Sequence, residues 1–182
     1  MKFTPLEIAG LVLVELKLFG DSRGFFVERF QEARFKEAGL PTHFAQDNHS
    51  RSAPTIIRGL HYQHNPAQGK LVSCISGQLW DVAVDIRADS PSFGQHFGLE
   101  LSGENGLMLW IPPGFAHGFL SLQDDTELLY KCTDFYSAQA ERSLIWNDPD
   151  IGIAWPLNGI GKPLLSDKDA AAKTLAEAEV FA

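Results

Sequence analysis

Apolar and polar residues alternate with a period of two along much of the chain. Leu11 to Phe19 alternates loosely. Lys70 to Ile75, Gln78 to Ile86, Phe97 to Leu101, Leu107 to Ile111, Leu128 to Phe135 and Ser143 to Trp146 each read as a strand, with successive side chains on opposite faces. Turn chemistry separates them at Gly20-Asp21, Ser76-Gly77, Asp89-Ser90-Pro91, Gly103-Glu104-Asn105-Gly106 and Gln123-Asp124-Asp125. Many short strands at this spacing predict a mainly β sandwich or barrel. Two segments predict helices. One runs from about Gln31 to Ala38, with Gly39 as C-cap and Pro41 just beyond. The other runs from about Asp167 to Glu179, with Ser166 as N-cap and an alanine-rich body. No internal repeat, low-complexity tract or linker interrupts residues 1–182, which read as a single domain.

Composition narrows the class. Thirteen Phe, four Trp and three Tyr supply large core-forming side chains, and 182 residues are enough to bury a sizeable core. A net charge of −8 argues against a nucleic-acid partner, which would need a clustered basic face, yet leaves room for one anionic ligand held by a few Arg and Lys. The two cysteines, Cys74 and Cys132, each lie in a strand-like run, so no disulfide framework is expected and a reducing, cytoplasmic setting is. The run Leu11 to Val14 is broken by Glu15 and Lys17, too short for a membrane span and unlike a signal peptide, so no membrane contact is expected.

Two stretches resemble the paired motifs of the cupin family of small β-barrels. The second reads Gly106, five residues, then Pro112-Pro113-Gly114-Phe115-Ala116-His117. In the first, where the family places histidine ligands and then a glutamate ahead of a glycine, this chain has His61-Tyr62-Gln63, Lys70 and Gly77. The four slots of a metal site are therefore held by His61, Gln63, Lys70 and His117. An ammonium has three donors, no lone pair and a charge that repels a divalent cation, so no metal is expected. The pocket points instead to proton chemistry by side chains.

Further stretches carry a closer resemblance: D-S-R-G-F-F-V-E from Asp21, Q-D-N-H-S from Gln46, R-G-L-H-Y-Q from Arg58, G-K-L-V from Gly69 and D-V-A-V-D-I-R from Asp81. W-I-P-P-G-F-A-H-G-F from Trp110, Y-K-C-T-D-F-Y from Tyr130, W-N-D-P from Trp146 and S-D-K-D from Ser166 continue it, so that it spans about Asp21 to Asp169. In these motifs the chain resembles the dTDP-4-dehydrorhamnose 3,5-epimerase family. That resemblance implies a cupin-type double-stranded β-helix, or jelly-roll, barrel with a few short peripheral helices. It also implies a homodimer, no cofactor, and a dTDP-linked keto-deoxysugar as substrate, inverted at the two carbons flanking its 4-keto group.

Removing a proton next to a carbonyl needs a base, a group for the developing oxyanion, and an acid on the opposite face. The resemblance makes His61 the base and Tyr130 the acid, sets Lys70 at the ketone oxygen, and gives Asp169 the task of orienting the histidine. Each has an ordinary structural reading beside it: a satisfied core histidine, a half-buried strand tyrosine, a lysine opening a strand, and an aspartate completing a helix cap with Ser166. His117 is expected to be a neutral hydrogen-bond donor to the sugar. Asp81 and Asp85 share a strand face, where either steadies His117 or Lys70, or pairs with arginine. Arg23 and Arg58 are the phosphate candidates, planar guanidinium being suited to bidentate contacts, and the resemblance adds Lys168. Glu28, Gln46, Asp47, Asn48, Gln63 and Glu141 are expected to touch sugar or nucleotide, and Tyr136 and Phe26 to stack on thymine or sugar. The pattern departs from the family at Ser92, at Gln95 to Phe97, and in the slightly long stretch from Leu157 to Leu164. A single-carbon epimerase, a ketoisomerase and a nucleotide-sugar binding module without turnover remain open as other readings.

Overall fold

A computed structural model describes all residues except Asn158 and Ile160, which belong to the Leu157 to Leu164 stretch and lie outside the described residues. Two sheets face each other. The first joins β1 (Lys2–Pro5), β2 (Val12–Glu15), β5 (Gln46–Ser52), β7 (Lys70–Ser76), β10 (Leu107–Ile111) and β12 (Thr126–Cys132) in the order β1-β2-β10-β7-β12-β5. The second joins β6 (Ile57–Gln63), β8 (Gln78–Asp85), β9 (His96–Ser102), β11 (Phe115–Ser121) and β13 (Glu141–Ser143) in the order β13-β6-β11-β8-β9. All these pairings are antiparallel. The remaining strands, β3 (Leu18–Asp21) and β4 (Gly24–Val27), form a separate hairpin. The mainly β barrel expected from the alternation is the fold found.

Three apolar layers follow. Val72, Cys74, Leu79, Ala83, Leu109, Phe119 and Leu128 fill the space between the sheets. Val82, Val84, Ile57, Leu60 and Leu120 point out of the second sheet and are covered by Trp155, Leu175, Val180 and Phe181. Val14, Leu71 and Trp110 point out of the first and are covered by α1 (Glu32–Glu37), whose Phe35 is fully buried against Phe3 and Phe30. That helix starts where the Gln31 side chain accepts the Arg34 N–H and stops before Gly39, whose φ of +72° suits a residue without a Cβ.

The second helix is much shorter than the alanine content suggests. α2 spans only Asp167–Ala170, with Ser166 Oγ accepting the Asp169 N–H at 3.1 Å. Beyond it Lys173 pairs with Leu144, the Leu175 N–H donates to Asp148 Oδ2 at 2.6 Å, and a 3-10 turn covers Leu175–Glu177. An extended tail lays Leu175, Ala178, Val180 and Phe181 against the outer layer, and this packing outweighs the helix propensity of alanine.

Candidate active site

The space between the sheets opens at one end into a cavity of about 380 Å³ lined by Gln46, Asn48, Ser50, Arg58, His61, Gln63, Lys70, His117, Tyr130, Tyr136 and Glu141, among others. The two walls differ in what they present. β6 and β11, in the second sheet, carry His61 and His117 as directly opposed partners. β7 and β12, in the first sheet, carry Lys70 and Tyr130.

His61 Nε2 lies 2.5 Å from Asp169 Oδ1, which joins residues 108 positions apart. Nδ1 is then the ring nitrogen with no protein partner among the described residues. Asp169 is nearly buried, which would raise its carboxyl, but the hydrogen bond and charge of His61, with the cap from Ser166, hold it below its ordinary value. The cap and the histidine contact, posed as alternatives by the sequence, are both made. Backbone N–H meets Ser166 while the carboxylate meets His61.

Lys70 is 9% exposed and gives one ammonium hydrogen to the His61 carbonyl at 3.1 Å. Burial pushes its pKa down, as it must for a cation taken out of water. Tyr130, with its hydroxyl unpartnered among the described residues, has its pKa raised chiefly by burial. Its ring stands 6.5 Å from that of His117. His117 Nε2 meets the buried Asp81 Oδ1 at 2.7 Å. This leaves Nδ1 as the His117 ring nitrogen without a protein partner among the described residues. Asp85 takes the other reading left open and binds Arg87, Ser90 and Ser92, which gives the departure at Ser92 a structural task.

The rim is held by a second network. Gln46 Oε1 accepts the Tyr136 N–H at 2.8 Å, and Gln63 Oε1 accepts the Ser137 N–H at 2.7 Å. Tyr136 donates to Glu141 at 3.0 Å, and Glu141 pairs with Lys168 at 2.6 Å. Arg58 is anchored by Ser52 Oγ at 3.0 Å and borders both the main cavity and a groove beside Lys168.

Several predicted contacts fall elsewhere. Gln63 spends its amide on loop backbone, donating to the Pro66 and Phe135 carbonyls, so it braces the Tyr136 loop and has no donor left for sugar. Asp47 points outward and pairs with Lys131. Arg23, Phe26 and Glu28 lie on or just after the β3–β4 hairpin, apart from the cavity. Arg23 pairs with Asp21, Glu28 with Arg34, and Phe26 is 71% exposed. Ser50, Ser52 and Gln68 were missed. Ser50 lies two residues from Asn48 on one strand face, which is the only signal the sequence holds for it. Among the described residues, no group of three or more His, Cys, Asp and Glu side chains is arranged to hold a metal ion.

The family model described as dTDP-4-dehydrorhamnose 3,5-epimerase matches residues 5–177. A Pseudomonas aeruginosa protein named dTDP-4-dehydrorhamnose 3,5-epimerase is 52% identical over 182 residues, covering 100% of this chain and 99% of its own length. The crystal structure of a dTDP-6-deoxy-D-glucose-3,5-epimerase from Legionella pneumophila, in complex with dTDP-4-keto-L-rhamnose, superposes with a TM-score of 0.93 at 49% identity, covering 98% of this chain and 94% of that one. A 3'-monoepimerase from Streptomyces bikiniensis, in complex with dTDP-quinovose, superposes with a TM-score of 0.89 at 38% identity, covering 94% of this chain and 87% of that one.

Proposed function

This chain belongs to the dTDP-4-dehydrorhamnose 3,5-epimerase family, and we propose on that premise how its own residues invert carbons 3 and 5 of dTDP-4-dehydro-6-deoxy-D-glucose to give dTDP-4-dehydro-L-rhamnose. The observation that carries the mechanism is the division of the cavity: a carboxylate-held histidine on one sheet faces a lysine and a tyrosine on the other. Inversion needs a proton to leave one face of the sugar and return to the opposite face, and opposed walls supply that.

His61 Nδ1 takes the proton from the carbon beside the ketone, and the electron pair moves onto the C4 oxygen. Lys70 donates to that oxygen as its charge grows, in a site where burial strengthens the interaction. Asp169 balances the imidazolium that forms. Tyr130 returns a proton to the far face, and its phenolate and His61 then exchange with solvent. Arg58 and Lys168 hold the diphosphate, Gln46 and Asn48 meet the sugar or base, Tyr136 stacks on thymine, and Glu141 supports it. No step calls for a metal, and the ammonium of Lys70 in a ligand position supports a metal-independent site.

The hairpin residues enter through a second copy. Phe25 and Phe26 are 56% and 71% exposed beside Arg23, an aromatic and cationic pair with no use in its own cavity. In a homodimer the hairpin of one copy completes the nucleotide end of the other. A cytoplasmic setting suits Cys74 and Cys132, which are both free and buried. A single-carbon reading is kept because the monoepimerase shares the fold at 38% identity.

Proton NMR in deuterated water decides between them. Incubated with dTDP-4-dehydro-6-deoxy-D-glucose, with and without a 4-keto reductase to trap product, the protein is expected to place deuterium at both carbons and yield an L-rhamnose product. Label at one carbon moves it to the single-site relatives. No label, from protein that binds dTDP, leaves a binding module.

A further inference from the structure

Asp81 lies fully buried, at 0% exposure, behind the cavity residue His117, on the inward face of β8 between the core residues Leu79 and Ala83. Its neighbour on the same face, Asp85, is equally buried but fully engaged: Arg87, Ser90 and Ser92 all donate to it. Asp81 differs. Oδ1 meets His117 Nε2 at 2.7 Å, and Oδ2 has no partner among the described residues. A carboxylate held in an apolar core by a single hydrogen bond is costly to keep and gives little structure in return. What it does instead is determine which nitrogen of His117 carries the proton. It also places a fixed negative charge behind a ring directly opposite His61.

We infer that Asp81 is a positioning residue for the epimerisation, acting through His117. It turns His117 Nδ1 toward the sugar and supplies the buried negative charge that keeps the cavity wall receptive to positive charge as the enolate forms. The Lys70 ammonium feels the same charge: burial lowers its pKa, and the Cys132 thiol, Asp81 and Glu141 oppose that fall. This inference rests on the epimerase reading above.

The test is a double-mutant cycle on the full-length chain with D81N, H117Q and the pair, read as deuterium incorporation at carbons 3 and 5 and as dTDP affinity by calorimetry. D81N is expected to slow incorporation about 10–100-fold, the range for removing an outer partner of a working histidine, with dTDP affinity within about twofold of wild type. The double variant should be no slower than H117Q, since Asp81 then has nothing to act through. Wild-type rates in D81N would overturn the inference, and so would losses that multiply in the double variant. A second measurement needs no variant: ¹⁵N spectra of the wild type should show His117 protonated at Nε2 under conditions where the ring is neutral, and a proton at Nδ1 instead would overturn it. Absence of deuterium incorporation in the wild type would remove the epimerase reading itself, a result distinct from a silent D81N in an active protein.

Discussion

Gly59 and Gly118 meet backbone to backbone where β6 and β11 pair, so closely that a Cβ on Gly59 would lie 2.6 Å from Gly118 Cα and one on Gly118 would lie 2.7 Å from the Arg58 carbonyl. The pairing register shifts at this point, between His117 opposite His61 and Phe119 opposite Arg58. Two facing glycines therefore let the strands that carry both histidines come within reach of one cavity. The variant G118A must push these strands apart. A loss of about 1–3 kcal/mol is expected from overpacking, measurable as a lower urea midpoint, together with weaker exchange activity because both rings move.

Lys70 separates activity from stability. Methionine keeps its length and removes a charge that burial disfavours. K70M should lose about 10²–10³-fold in turnover, the scale of one oxyanion donor, while melting at the wild-type temperature or above it. A marked fall in melting temperature would mean that the ammonium is a structural group.

Gln63 predicts a binding defect. Its amide makes three contacts to loop backbone, at Pro66, Phe135 and Ser137. Q63A should loosen the loop that carries Tyr136 and raise KM for the nucleotide sugar about tenfold, the equivalent of one or so net hydrogen bonds. kcat should change less. Steady-state kinetics that show the reverse split would return Gln63 to the reacting sugar.

Acid stability should report on Asp85. Burial tends to raise its pKa, but Arg87, Ser90 and Ser92 bring it down to about 2. A carboxyl depressed in the folded state stabilises the protein above its unfolded value of about 4, and that share is lost as pH falls toward about 2. The share is about 2 kcal/mol. In D85N, urea unfolding at neutral pH should weaken by that order, and the slope of stability between pH 4 and 2 should flatten relative to wild type.

The sequence was most legible where runs rich in large apolar residues lie between turn signals. β7, β8, β10 and β12 fall where the alternation predicted, within a few residues at their ends. β5 carried no such signal. Its sequence is polar throughout because one face, with Gln46, Asn48 and Ser50, lines a wet cavity. Its other face makes ion pairs from Asp47 and Arg51 and a side-chain contact from His49 to Glu127. β11 has its apolar run interrupted by His117 and Gly118, so it shows no period of two either. The C-terminal segment was misread because propensity is local, while the contacts that straighten it, from Leu144 and Asp148, lie far away in the chain. At the site, His61, Lys70 and His117 stand out from their motif positions. Spacing shows that Gln63 and Asp81 matter but not what they touch, since their partners come from other strands and from loop backbone.

Every strand of both sheets is complete by Ser143, and the residues lining the cavity all precede it. Asp169 comes later, brought in by the bridge from Leu164 to Ile56 on one side and from Lys173 to Leu144 on the other. The cavity walls are therefore encoded before the carboxylate that meets His61. A chain cut between Ser143 and Asp169 would keep those walls but lose both that carboxylate and the Lys168 partner of Glu141. The segment that carries Asp169 continues across the outer layer from Leu175 to Phe181, so packing there and delivery of the carboxylate to His61 are linked.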